Sequence, residues 1–337
     1  MKYHLFGNTG LRVSELCLGT MGFGTENGWG ATEENSKAVF ETFANAGGNF
    51  IDTANIYTSG TSEKFVGKFV GSDRDHFVVA TKYGLKDRNG DPNFSGNHRK
   101  NMMRSVHESL KRLQTDYIDL LWLHIWDFTT SPDEILMGLN DLIHRGMVNY
   151  IGISDTPAWR VAQANTIAEL RGWHKFAGLQ VEYSLINRTA ERDLLPMAKA
   201  LNLSVTPWAP LAGGALTGKY LRGEKGRLPD ASKRLNERNT VIAQTVVDAA
   251  NEMGCAPSQV AIQWTRQRNQ QVIPIIGATK AAQIEEALAG VEVIIPEKWI
   301  QKLNEVSSIE LGFPHDFFLE PAVIDVSYGQ TRDKLIF

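Results

Sequence analysis

Eight short apolar runs rich in β-forming residues recur along this chain, and the stretches between them carry helical periodicity. The runs are SELCLGT (14–20), NFID (49–52), FVVATKY (77–83), YIDLLWLH (117–124), VNYIGIS (148–154), GLQVEYS (178–184), LSVTPWA (203–209) and QVIPIIG (271–277). In HRKNMMRSVHESLKRLQ (98–114), Met102, Val106, Leu110 and Leu113 fall at steps of four, four and three, so they share one helix face. WRVAQANTIAELRGW (159–173) follows Asp155, Thr156 and Pro157, and the proline suits a first helical turn. Strand followed by helix, repeated this way, builds a parallel sheet with right-handed crossovers. Eight such units predict closure into a (β/α)8 barrel of the α/β class, a TIM barrel.

YHLFGNTGLRVS (3–14) reads as a hairpin ahead of the first barrel strand, with Gly7, Asn8 and Gly10 as turn residues. At 337 residues the chain is expected to be one barrel domain, 1–337, with insertions. Three segments break the rhythm: 85–100 after the Lys82 run, 211–239 after the seventh run, and a tail at 312–337. Loops this long are usually functional or disordered. The first two leave the C-terminal rim of a barrel and are expected to wall or cover a substrate site. The tail, whose FPHDFFLEP carries three phenylalanines, is expected to fold over that rim or to dock on outer helices.

Charge and cysteine usage narrow the partners. The 35 basic residues against 38 acidic ones leave a net charge of -3 with no dense basic tract, so nucleic acid is not expected. Cys17 and Cys255 stand far apart without CxxC or metal-type spacing, and no HxH or comparable ligand cluster occurs. Neither a disulfide scaffold nor a metal site is expected, and a reducing cytoplasm fits. The N-terminus lacks the charged start, apolar core and cleavage site of a leader, and no apolar run reaches the roughly 18 residues of a membrane span.

The chemistry sits at the ends of the runs. Asp52 and Tyr57 follow NFID, Lys82 lies in FVVATKY, and His124 ends YIDLLWLH, so successive βα units bring all four to one end of the sheet, where such folds place their active sites. A phenol with its ordinary pKa near ~10 is too weak an acid to protonate a carbonyl oxygen efficiently at neutral pH. An ammonium about 4 Å away favours phenolate by roughly 4 kcal/mol at an effective dielectric of 20, or up to about 3 pK units. Lys82 is therefore expected to pull Tyr57 toward neutrality, Asp52 to keep Lys82 charged and aimed, and His124 to hydrogen-bond the substrate oxygen.

The order and spacing of these four residues resemble the catalytic set of the aldo-keto reductase family, and the likeness runs over nearly the whole chain. It is strongest to the microbial aryl-alcohol-dehydrogenase-like branch, with YTSGTSE after Tyr57 included. The resemblance implies reduction of an aldehyde or ketone to the alcohol, with aromatic, aliphatic or sugar-type carbonyls as the substrate class. It also implies a nicotinamide cofactor extended across the rim. The carboxamide positions look like Ser154, Asp155 and Gln180, the stacking aromatic like Trp208, and the pyrophosphate run like Pro210, Leu211, Gly213 and Lys219. Gly277, Thr279, Lys280, Gln283 and Glu286 match the adenosine site. Asp155 stands where the family usually has Asn, and Ala287 where it usually has an adenine-contacting Asn.

Two other nucleotide motifs fail on their own terms. GFGTENG (22–28) has GxGxxxG spacing and no acidic residue at the position a Rossmann site needs. Gly213 to Lys219 fits GxxxxGK, but Tyr220 replaces the magnesium-binding Ser or Thr. Backbone N–H groups beside Lys219 still suit a pyrophosphate. Lys280, helped by Arg227, is the candidate for a ribose 2′-phosphate, which favours NADPH over NADH. Trp29 and Trp126 are the candidate substrate walls. A second expectation from the same family is a cofactor-sensing regulatory subunit with slow reductase chemistry.

Overall fold

A computed structural model describes residues 1–267 and 272–336. The hairpin forms as expected: β1 (Tyr3–Leu5) pairs antiparallel with β2 (Arg12–Ser14). Eight parallel strands follow, β3 (Cys17–Gly19), β4 (Phe50–Asp52), β5 (Val78–Tyr83), β6 (Ile118–Leu123), β7 (Val148–Ser154), β8 (Gly178–Glu182), β9 (Ser204–Trp208) and β10 (Ile275–Gly277). They pair in the order β10-β3-β4-β5-β6-β7-β8-β9. The Ile273 N–H donates to the Val205 carbonyl at 2.8 Å, tying the β10 segment back to β9. Each expected run contains one of these strands: β7 fills its run, and the others are shorter than theirs. Gln271, at the start of the eighth run, lies outside the described residues.

The intervening helices are α1 (Glu33–Asn45), α2 (Thr61–Val70), α3 (Arg99–Leu113), α4 (Pro132–His144), α5 (Ala158–Arg171), α6 (Leu194–Ala200), α7 (Glu237–Met253), α8 (Pro257–Gln267) and α9 (Ala281–Ala289), with α10 (Glu297–Val306) and α11 (Pro321–Tyr328) after the last barrel helix. Side-chain caps start several of them: Thr32 on α1, Ser131 on α4 and Asn236 on α7 each accept a backbone N–H three residues on. Met102, Val106 and Leu113 are buried on α3 as the periodicity predicts. Pro157 stands at the N-cap of α5, one residue earlier than expected. Its fixed φ suits either place, but its ψ of 138° is extended.

Two apolar layers result from strand alternation. Phe50, Val78, Ala80, Leu120 and Trp122 point into the barrel with Phe6 of the hairpin, while Ile51, Val79 and Leu121 face the helices. Phe6 plugs the bottom, edge-on to Phe50 at 5.7 Å and to Trp122 at 6.2 Å. A Cβ on Gly178 would run into Phe6, and one on Gly152 into Trp122, so glycine is required where those rings cross the interior. Counting two residues up from the inward layer puts Asp52 above Phe50, Lys82 above Ala80, His124 above Trp122, Ser154 above Gly152 and Gln180 above Gly178. The register of the barrel thus sets the position of each polar side chain at its upper end.

The loops fold against their own neighbourhoods. In 85–98, Asp87 pairs with Arg104 at 2.9 Å, and Phe94 lies under Arg88 and Arg104 at 3.7 and 4.1 Å. Ahead of the tail, Arg188 donates to the Asn304 carbonyl and Ser307 Oγ, both at 2.9 Å. In the tail itself Phe313 stacks on Phe317 at 5.8 Å and Phe317 on Phe318 at 6.4 Å, with all three exposed. Phe337 lies outside the described residues.

Candidate active site

The upper end of the barrel gathers the four expected residues. Lys82, buried on β5, directs its Nζ to the Asp52 carboxylate, to the Thr53 carbonyl at 2.8 Å and to Tyr57 Oη at 3.1 Å. The other Asp52 oxygen accepts from Gln180 Nε2 at 3.0 Å. Tyr57 lies on a tight turn (Tyr57–Gly60) in which Thr58 and Ser59 hold φ of 45° and 53°. Such backbone is unfavourable for these residues and persists only when neighbours enforce it. Thr58 Oγ1 supplies that enforcement by donating to the Phe23 carbonyl at 2.6 Å and accepting the Ser62 N–H at 3.1 Å. His124 faces Tyr57 edge-on, ring centres 6.1 Å apart.

Hydrogen bonds behind the site fix its strands. Ser62 Oγ lies 2.7 Å from Thr20 Oγ1 and 2.8 Å from Thr53 Oγ1, joining β3, β4 and α2. Glu63, fully buried, accepts from Thr81 Oγ1 at 2.6 Å and from Arg112 Nε at 2.5 Å, which clamps α2 and α3 on the strand that carries Lys82.

The electrostatics depart from the sequence expectation in one respect. Tyr57 is pushed above its ordinary value, because burial outweighs the Lys82 ammonium and the Asp52 carboxylate opposes it. Lys82 itself is raised: burial works against its charge, but Asp52 and Tyr57 overcome that. His124 is driven well below the ordinary histidine value, first by burial and then by Lys82, so its imidazole is neutral. Its Nδ1 is buried without a partner among the described residues.

The expected carboxamide positions lie beside this cluster. Ser154 Oγ is buried with no partner among the described residues. Asp155, at φ 41°, accepts from Trp208 Nε1 at 3.1 Å, and its backbone N–H donates to the Gln180 carbonyl at 3.2 Å. Burial raises Asp155, and the Trp208 bond opposes the rise. Ser154, Asp155, Gln180 and Trp208 therefore come together with Asp52. Beyond Trp208, Pro210 is buried and Leu211 precedes Gly213 and Gly214, whose φ of 71° and 92° turn the chain sharply. Lys219 folds back over Gly214, where a Cβ would stand 3.1 Å from its Nζ. This chain segment does not begin a helix after Lys219, in agreement with rejection of the phosphate-loop motif.

At the remaining edge, Gly277 ends β10, and Gln283 Oε1 accepts the Thr279 N–H at 2.9 Å and the Lys280 N–H at 3.3 Å, capping α9. Glu286 instead accepts from Ser258 Oγ on α8, and Ala287 is buried. Trp29 is exposed, with the Arg227 guanidinium 4.3 Å over its ring. Trp126 is buried, its Nε1 without a partner, with Arg160 5.6 Å away. Asn55 joins the site without a sequence signal: both its side-chain amide atoms are buried without a partner among the described residues, two residues before Tyr57. Residue type alone gives no signal for it, because an asparagine in a loop is ordinarily a turn former.

A buried hydroxyl at Ser154 without a partner among the described residues, an indole at Trp208 bonded to Asp155, and a glycine turn beside Lys219 fit a nicotinamide nucleotide. Among the described residues no group of three or more His, Cys, Asp and Glu side chains is placed to hold a metal ion, and no helix is long and apolar enough to cross a membrane.

The sequence profile of the aldo/keto reductase family matches residues 15–308. A norsolorinic acid reductase of Aspergillus flavus is 36% identical over 334 residues, covering 95% of this chain and 85% of that protein. An aryl-alcohol dehydrogenase [NADP(+)] of Phanerodontia chrysosporium is 35% identical, covering 92% of this chain and 86% of its own length. An aldo-keto reductase of Aspergillus calidoustus is 32% identical over 95% of this chain and 86% of its own.

Proposed function

This chain belongs to the aldo/keto reductase family, and on that premise we propose that it reduces a small aldehyde or ketone to the alcohol with NADPH, in the cytoplasm. The observation that carries the reading is the contact of Lys82 Nζ with Asp52 on one side and Tyr57 Oη on the other. An ammonium that donates to a phenol oxygen stabilises the phenolate left when the phenol gives up its proton. Reduction of a carbonyl needs such a proton on the oxygen.

Tyr57 Oη donates its proton to the carbonyl oxygen. Lys82 stabilises the charge that builds on the phenol, and Asp52 keeps Lys82 aimed while Gln180 fixes Asp52. His124, neutral, offers Nε2–H to the same carbonyl oxygen and so orients the substrate. A bound reduced nicotinamide supplies the hydride that no side chain can supply. Ser154, Gln180 and the free oxygen of Asp155 are the groups for its carboxamide. Asp155 can accept from the amide NH₂ but cannot donate, unlike the asparagine usual in the family. Trp208 is the stacking surface, Pro210, Leu211, Gly213 and Lys219 the pyrophosphate run, and Gly277, Thr279, Gln283 and Glu286 the adenosine end. Lys280, at the N-cap of α9, is the cation for a 2′-phosphate. Trp29 and Trp126 border the substrate.

Tryptophan fluorescence titrated separately with NADPH and NADH tests the cofactor. Micromolar quenching by NADPH, weakened in Lys280→Ala, is the expected result. Failure of both nucleotides to bind overturns the reading, as does absence of NADPH oxidation with every carbonyl in a broad screen.

A further inference from the structure

The long loop after β9 carries three arginines whose surroundings differ. Arg222 pairs with Glu224 at 2.6 Å, and Arg234 pairs with Glu182 of β8 at 2.5 Å. Arg227, between them, has no ion pair and no hydrogen bond to an acid among the described residues. Its guanidinium stacks 4.3 Å from the centre of the Trp29 ring, and burial disfavours its charge. Trp29 belongs to the loop whose Phe23 carbonyl accepts from Thr58 Oγ1 at 2.6 Å, and Thr58 follows Tyr57, so this loop borders the turn that carries Tyr57.

The arginine is held there by its own loop. The Leu228 N–H donates to Tyr220 Oη at 2.9 Å, and the Leu228 side chain seats on Gly213, where a Cβ would come within 2.7 Å of Leu228 Cδ2. Trp29 is fixed on the other side: a Cβ on Gly22 would meet both Trp29 Cζ3 and Thr279 Cγ2 at 3.6 Å. The two loops leave strands on either side of β10, so their contact arches over the end of that strand. A guanidinium that is stacked and without an acid presents a planar fork of donors with no acceptor. Such a fork matches a carboxylate or another oxyanion edge-on, while the partly exposed indole below it offers an apolar surface.

We infer that Arg227, stacked on Trp29, is the specificity-determining residue of this site and selects aromatic carbonyl compounds that carry an anionic substituent, a carboxylate or an ionised phenol. The inference rests on the carbonyl-reductase reading and names its substrate class. In it the carbonyl reaches Tyr57 and His124 while the anion meets the Arg227 fork and the ring lies along Trp29.

The experiment compares benzaldehyde with meta- and para-carboxybenzaldehyde, measuring kcat/KM with NADPH and, by calorimetry, equilibrium binding of each aldehyde to the protein and to Arg227→Gln and Arg227→Lys. The readout is the ratio of carboxylated to neutral substrate. The protein should favour at least one carboxybenzaldehyde by about tenfold or more, as expected of a hydrogen-bonded charge pair. Arg227→Gln should erase that ratio, and Arg227→Lys should restore part of it, because lysine keeps the charge but not the fork. A ratio near one in the unmodified protein overturns the inference. So does a ratio that survives in Arg227→Gln while NADPH binding falls, which assigns Arg227 to a cofactor phosphate. Arg227-dependent binding of carboxybenzaldehyde without turnover of any aldehyde upholds the anion site and removes the reductase reading instead.

Discussion

Replacing Lys82 by methionine separates what the buried ion pair does for folding from what it does for chemistry. Lys82 and Asp52 are both withdrawn from solvent, with side-chain exposures of 0% and 3%. Methionine fills the volume of the lysine stem, so little cavity cost arises, and the loss is electrostatic. Asp52 keeps only the Gln180 Nε2 bond of the two partners described above, and Thr53 loses the donor to its carbonyl. Removing one member of a buried pair costs about 3–5 kcal/mol, a large share of the ~5–15 kcal/mol that holds a typical domain together. Urea unfolding at pH 7 should show a loss of that size in Lys82→Met. Adding Asp52→Asn removes the orphan charge and should recover about half of it or more. Turnover should not recover: kcat should stay down by about 10² or more in both variants, since the phenol has lost its ammonium. A Lys82→Met protein within about 1 kcal/mol of the parent would refute the burial of this pair. A double variant that regained turnover along with stability would refute the role of Lys82 at Tyr57.

Three further outcomes follow from the same geometry. Tyr57→Phe should lower kcat for carbonyl reduction by about 10² to 10⁴ while NADPH still quenches tryptophan fluorescence; near-full turnover would remove Tyr57 as the acid. His124 is held neutral by burial and by Lys82, so below pH ~6.5 the unfolded chain takes up a proton that the folded site refuses. Stability should therefore fall as pH drops from ~6.5 toward the lowered folded value, by at most about 1.4 kcal/mol per pH unit, and His124→Gln should flatten that slope in denaturation curves at pH 5, 6 and 7. Burial raises Asp155, so the emission of Trp208, bonded to it, should titrate at a pH above the ~3.9 of an ordinary aspartate; the same titration persisting in Asp155→Asn would mean another group reports.

The strands and the catalytic four were legible because a strand's two-residue period leaves little freedom. Once NFID and FVVATKY are read as neighbouring strands, Asp52 and Lys82 must share the inward face above Phe50 and Ala80. Rotamers at the rim carry no such constraint. The resemblance places Gln180 at a carboxamide and gives no sign of the bond its Nε2 makes to Asp52; a long amide can serve both partners. Asn55 escaped notice because its distinction lies in burial without partners, which no residue pattern encodes. Charge alone groups Arg227 with Lys280, whereas the packing of Leu228 on Gly213 and of the guanidinium on Trp29 shows where the loop takes it.

The sign of the Tyr57 shift shows why composition of a site does not settle its electrostatics. A lone ammonium at hydrogen-bond distance lowers a phenol's pKa, and the sequence supplies that ammonium. The same sequence supplies Asp52, which bonds Lys82 directly and whose own charge opposes that of Lys82 at the phenol, and a barrel top whose burial of the phenol disfavours phenolate. Desolvation then dominates, and Tyr57 rests fully protonated. That state suits a proton donor before the reaction. The bond from Lys82 to the phenol oxygen matters afterwards, when the proton has left and the phenolate needs a donor at 3.1 Å. Lys82 therefore acts on the charge that forms in the reaction more than on the resting acid.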